Sequence, residues 1–189
     1  MLENKAIAES QADLLHRIAA RDLSALEDFY DQTSKPLFSV ALRILGDVAE
    51  AEEVIQDVFV QIWEKASTFD PTLGAPFHWA LSIARHRSID RLRARQRRAR
   101  LVDDLQNTGA VEDATEPDPA PAVRSEDAAN IRSALDLLPV EQRQAIEMAF
   151  FGGKTHQEIA EELGEPVGTI KARIRRGMLK MRESLQEYA

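Results

Sequence analysis

The 189-residue sequence contains no cysteine. That absence rules out disulfide frameworks, cysteine-ligated zinc, iron–sulfur clusters, thiol catalysis and direct thiol sensing by this chain. Aromatic residues are scarce, at 6%. No stretch reaches the ~20 uninterrupted apolar residues of a membrane span, because Arg43, Asp47 and the glutamates after it interrupt the longest apolar segment. The first residues, MLENKAIAESQADLL, carry charge where a secretory leader needs an apolar run. A cytoplasmic chain without membrane insertion is expected. His16, His78, His86 and His156 have no metal-ligand spacing, and no glycine-rich phosphate loop is present. No metal, cofactor or catalytic residue is therefore expected.

Charge is plentiful and unevenly placed. The net charge is −8, which taken alone argues against a basic nucleic-acid coat. By segment the picture changes. Residues 1–84 hold 14 acids and 6 bases; residues 85–100 hold 8 arginines and one acid, Asp90. Residues 101–129 hold 8 acids and one base, and residues 130–189 balance 9 against 9. The third block contains Pro117, Pro119 and Pro121 and lacks apolar periodicity, so it reads as a flexible acidic linker. The expected organisation is a domain over 1–100, a linker over 101–129 and a second domain over 130–189.

Both flanking regions show helical periodicity and no strand alternation, so the expected fold is all-α, two small helical domains joined by the linker. Leu14, Leu15 and Ile18 form an apolar stripe. Ser24 and Glu27 have capping-box spacing. Pro36 and Gly46 frame PLFSVALRIL as a helix of its own, and Asp47 is a candidate cap for the next. In that next helix Val54, Ile55, Val58, Phe59, Ile62 and Trp63 recur at helical spacing beneath an acidic face. FDPTLGAPF breaks the pattern, and a long helix follows through HWALSIARHRSIDRLRARQRR.

In the second domain Ile131, Leu135 and Leu138 predict a helix ended by Pro139, and EQRQAIEMAFF another ended by Gly152 and Gly153. Thr155 and Glu158 form a capping box, Ile159, Ala160 and Leu163 an apolar face, and Gly164-Glu165-Pro166 a turn. GTIKARIRRGMLKMRESL then resumes as a helix. Together these make a helix-turn-helix signature. Ile170, Ile174, Met178, Met181 and Leu185 define the expected buried side of the second helix. Six bases and no acids occupy 171–182, which suits a helix entering a major groove. The arginine run of the first domain follows Phe69, Phe77 and Trp79, and stacking rings beside a cationic helix suit a single strand. Trp79 serves equally well as a core residue.

With these motifs in order, the chain resembles an extracytoplasmic-function sigma factor, a small two-domain bacterial transcription initiation factor. AEEVIQDVFVQIW resembles the helix of that family that binds core RNA polymerase, FHWALSIARHRSIDRLR its minus-ten-reading helix, and LPVEQRQAIEMAFFGGKTHQEIAEELGEPVGTIKARIRRG its minus-thirty-five-reading domain. The resemblance implies that Glu52, Glu53, Gln56, Asp57, Phe59 and Trp63 lie on or beneath the polymerase-binding surface. It implies that Asp70, Phe77, Trp79, Arg85, His86, Ser88 and Arg91 melt and read the minus-ten element, extruding a base into a loop pocket. Thr169, Lys171, Ala172, Arg175 and Arg176 then read the upstream duplex, with Arg173 serving phosphate or an internal acid.

The expected partners are core RNA polymerase, promoter DNA as duplex and melted strand, and an anti-sigma factor. An Asp-Ala-Glu-Asp run common at the polymerase-binding helix is here Glu50-Ala51-Glu52-Glu53. The linker, in the family a strand threaded toward the active site, is a nucleic-acid mimic or an inert tether. A helix-turn-helix regulator that works without polymerase is the rival function; it leaves the acidic and arginine-rich helices of the first domain unused.

Overall fold

In the computed structural model, residues 2–106 and 133–187 are described; they fall into two separately packed units, one within 1–121 and one within 122–189. Every regular element among the described residues is helical. The expected linker lies outside them from residue 107 to its end at 129.

Helix α1 (Leu2–Ala19) buries Leu14, Leu15 and Ile18, and a turn at Arg21 leads into α2 (Leu23–Leu45). The cap of α2 is Asp22, not Ser24. Its carboxylate accepts from the amides of Ser24 at 3.0 Å and Ala25 at 3.4 Å, and the Ser24 hydroxyl donates to it at 2.7 Å. Arg17 pairs with the same carboxylate at 2.7 Å. The expected capping box at Ser24 and Glu27 is thus replaced by a cap two residues earlier, anchored from the preceding helix.

A second expectation also changes. Pro36 does not begin a helix; it lies inside α2. A proline in a helix interior costs about 3 kcal/mol. Fully burying Phe29 and Leu37 on either side contributes about 1.5–3 kcal/mol each, with Ala25, Thr33, Ala41 and Ile44 on the same buried face. Burial of the continuous face outweighs the lost amide. Gly46 closes α2 through its N–H to Leu42 O at 2.8 Å, and Asp47 caps α3 (Val48–Lys65) by accepting from Glu50 N at 2.8 Å.

Val54, Ile55, Val58, Phe59 and Ile62 of α3 are buried in the core of this unit, where α3 packs against α2. A 3₁₀ turn (Ala66–Thr68) and a short loop lead to α4 (Pro76–Gln106), which packs against α2 and α3 through Ala80, Ile83 and Ala84. Helix α4 runs through Arg100 and on to Gln106, so the first residues of the acidic block are helical.

In the second unit residues 133–136 are helical, and Leu135 and Leu138 are buried before Pro139 opens α5 (Val140–Phe150). Ile131 lies outside the described residues, as does the side chain of Leu185. Helices α6 (His156–Leu163) and α7 (Val167–Glu187) follow, with Ile159, Ala160 and Ile170 as their shared core. Along α7 the inward position after Ile174 belongs to Gly177. A Cβ built there would stand 2.6 Å from Ile146 Cδ1, so α5 and α7 approach closely at this point. Met178, expected inside, is 53% exposed as a result.

Candidate nucleic-acid interface

The second unit presents its site on α6 and α7. Thr155 Oγ1 accepts from Glu158 N at 3.2 Å, and the Glu158 carboxylate accepts from Thr155 N at 2.6 Å, so both halves of the capping box form. Gly164 closes α6 at φ 65, a left-handed conformation that an L side chain rarely adopts. The turn is fastened to α7 by Arg173, whose guanidinium meets Glu165 at 2.8 Å with both side chains largely shielded. That resolves the expectation for Arg173 in favour of an internal acid. Lys154 pairs with Glu162 on the outer side of α6. Lys171, Arg175 and Arg176 are exposed on α7, while Thr169 and Ala172 are half-buried between them. Arg176 Nε also donates to Ala172 O at 3.3 Å.

In the first unit the exposed side of α3 carries Glu52, Glu53, Gln56 and Asp57, with Val60 58% exposed among them. Phe59 lies beneath this face, 7% exposed, its ring 4.7 Å from that of Tyr30 on α2. Trp63 is half-buried under Arg21. Of the six side chains expected at the polymerase surface, the four polar ones are exposed and the two aromatics brace the helix from within or from its edge.

The loop before α4 is shaped by Asp70, whose carboxylate accepts from both the amide and the hydroxyl of Thr72, at 2.8 and 2.7 Å. Those bonds hold its pKa below the ordinary value, led by the Thr72 hydroxyl. Asp70 is therefore occupied in building the loop. Phe77 and Trp79 are half-buried, and Trp79 meets Phe69 edge-on with centroids 5.8 Å apart. Trp79 thus belongs partly to the core, leaving its remaining surface for a ligand.

On α4 His86 is exposed and Arg85 half-buried, its pKa lowered by burial and then by Arg93. Ser88 is fully buried and its hydroxyl donates to Ala84 O at 2.8 Å, so it faces no ligand. Arg91 forms an ion pair with Glu53 across to α3. Arg91, expected at DNA, and Glu53, expected at polymerase, are therefore joined. Among the described residues no group of His, Asp and Glu could hold a metal, and no helix is long and apolar enough to cross a membrane.

Residues 29–98 match the Sigma-70 region 2 family and residues 128–181 match Sigma-70 region 4. The ECF RNA polymerase sigma factor SigK of Mycolicibacterium vanbaalenii is 31% identical over 172 residues, covering 91% of this chain and 87% of that protein. SigK of Mycobacterium tuberculosis H37Rv is 31% identical over 91% of each chain. The chain belongs to the ECF RNA polymerase sigma factor family. As a sigma factor it is a transcription initiation factor acting with core RNA polymerase at promoter DNA, in a family that is not catalytic. The match to region 2 as well as region 4 sets aside a regulator that works without polymerase.

Among solved structures, CnrH in complex with the cytosolic domain of CnrY aligns at 23% identity with a TM-score of 0.43, over 95% of this chain and 99% of that one. Sigma factor RpoE in complex with the anti-sigma factor NepR from Bartonella quintana aligns at 23% with a TM-score of 0.39, over 85% of this chain and 96% of that one. Scores this low add nothing to the assignment. Glu50, Arg87 and Arg95 stand beside the residues that the motifs of this sigma factor single out. The repeat of arginine every four residues over 87–95 was the available signal for the two arginines.

Proposed function

We propose that the two units divide promoter recognition between them. The exposed Glu52, Gln56 and Asp57 of α3, with Glu53 beside them keeping its pair to Arg91, dock on a basic surface of core polymerase, supported from below by Phe59 and from the helix end by Trp63. The loop at Asp70, with Phe77 and the outer edge of Trp79, holds an extruded minus-ten base, and Arg85 and His86 contact the melted strand. Lys171, Arg175 and Arg176, with Thr169 and Ala172 between them, read the upstream element in the major groove.

The observation that carries this reading is the separation of charge on adjacent helices: the outward face of α3 is acidic, while α4 beyond it and α7 of the second unit present arginine and lysine. An acidic face repels phosphate and suits a basic protein surface; a basic helix does the reverse. The chain works in the cytoplasm, and an anti-sigma factor competing for the acidic face of α3 is the regulatory partner this surface fits. Domain limits at 1–100 and 130–189, with 101–129 as tether, complete the proposal. Reconstituted transcription tests it: core polymerase plus this chain should initiate at specific promoters, including that of the chain's own gene. Initiation no better than core alone on every template would sink the reading.

A further inference from the structure

The arginines of α4 divide into stripes. Arg87 Nε donates to Gln61 Oε1 at 2.8 Å. Arg91 bonds Glu53 Oε2 at 2.5 Å, with its Nε 3.8 Å from Glu50 Oε1. Arg95 meets Glu50 Oε2 at 3.1 Å and donates to Leu45 O at 3.0 Å. Steps of four residues place these three on one side of the helix, and their partners are α3 and the carbonyl end of α2, where a cation is favoured. His86 and Arg97, eleven positions apart, share a different and exposed stripe.

Glu50 is the centre of the ladder. Its two carboxylate oxygens face two different arginines, and its side chain is only 24% exposed. For Arg91 to reach a phosphate it would have to leave Glu50 and Glu53, exposing two carboxylates beside the DNA. Staying paired, it fixes the rotation of α4 on α3. A slip of one residue would turn every DNA-facing side chain by about 100°, the rotation per residue of a helix with 3.6 residues per turn.

We propose that Glu50 is a positioning residue for promoter recognition: with Glu53 it seats Arg91 and Arg95, and Arg91 serves the promoter through these acids and not by touching DNA. This rests on α4 being the promoter-facing helix of the first unit.

The test is promoter binding by holoenzyme formed at saturating core, measured by fluorescence anisotropy over a salt series well below the unfolding temperature. Removing a negative charge near DNA ordinarily tightens binding. Glu50→Gln should instead weaken it by up to about fivefold at low salt, the upper factor for a well-formed exposed ion pair, and by less as salt screens that pair. Arg91→Gln should weaken it similarly, with a salt slope that matches that of Glu50→Gln, and the double variant should be no worse than the singles. Arg97→Gln, on the outward stripe, should lower the slope by about 0.7–0.9, as loss of one phosphate contact does. Tighter or unchanged binding by Glu50→Gln, or a slope loss in Arg91→Gln that exceeds that of Glu50→Gln and equals that of Arg97→Gln, overturns the proposal. A wild-type holoenzyme with no promoter preference would instead overturn the reading beneath it.

Discussion

The guanidinium of Arg21 lies 5.3 Å from the centre of the Trp63 ring and donates to the Trp63 carbonyl at 3.1 Å. Arg21 does this from a left-handed backbone, φ 68, the one positive φ at a non-glycine residue among those described. The corner between α1 and α2 is thereby clamped to the end of α3. Such a backbone costs about 1–2 kcal/mol for a residue with a Cβ, while an exposed cation–π contact contributes about 0.5–1 kcal/mol.

Arg21→Ala keeps the backbone cost and loses the clamp, so it should destabilise the first unit by about 1–2 kcal/mol. Arg21→Gly loses the same contacts but relieves the backbone, and should be the milder of the two. Urea unfolding of both variants checks the order. If glycine proves more damaging than alanine, backbone strain at this corner is not a significant term.

The second prediction concerns acid. Hydrogen bonds from the Ser24 hydroxyl and then from Arg17 hold the Asp22 carboxyl at about 2. Because the folded value is depressed, its stabilising contribution is full above the unfolded value, about 3.9, and fades as pH falls through the folded one. Wild-type protein should therefore lose stability between about pH 4 and pH 2 more steeply than Asp22→Asn does. Urea midpoints measured across that window decide it; parallel curves would mean that the cap carries no linkage.

Packing at Gly177 gives a third. A methyl group there meets the movable end of Ile146 first, with Gln142 Cβ at 3.3 Å and Leu138 Cδ1 at 3.5 Å behind it. Gly177→Ala gains about 1 kcal/mol of helix propensity against the cost of displacing Ile146, and should leave the thermal midpoint within a few degrees of wild type. Gly177→Leu must separate α5 from α7 and should cost about 1–3 kcal/mol. A leucine variant as stable as wild type would show that the two helices part freely.

Roles on the two units separate in a fourth. Arg175→Ala should weaken recognition of the upstream element by about 1–3 kcal/mol and leave core association intact. Asp57→Arg, a reversal on the exposed face of α3, should do the opposite. Core pull-down and promoter footprinting on both proteins read the difference. Equal loss of core binding in both would refute the division of labour.

Much of the candidate site was legible because its signals are local. The capping box at Thr155 and Glu158, the left-handed Gly164 and the cap at Asp47 each depend on residues within a few positions of one another, so their spacing in sequence is their spacing in space. The sequence also placed acids on one helix and arginines on another. Where a side chain from the neighbouring helix or the burial of a whole face intervened, the local pattern did not hold. Asp22 displaced Ser24 as a cap because Arg17 reaches it from the previous helix, and α2 passed through Pro36 because its buried face continues on both sides.

Direction is the part that only tertiary packing decided. Helical period tells which residues share a stripe but not what stands opposite it, and the arginine stripe of α4 faces Gln61, Glu53 and Glu50 of α3 and the Leu45 carbonyl that ends α2. Ser88 went inside for the same reason, and Gly177 took the place expected for Met178 because α5 lies close enough there to exclude a side chain. By itself the sequence determined the helices other than the continuity of α2 through Pro36, their order and the sign of charge on each. Which charges remain outward for polymerase and DNA, and which are neutralised within the molecule, depends on side chains 38 and 45 positions apart meeting at ion-pair distance, and no local pattern encodes that meeting.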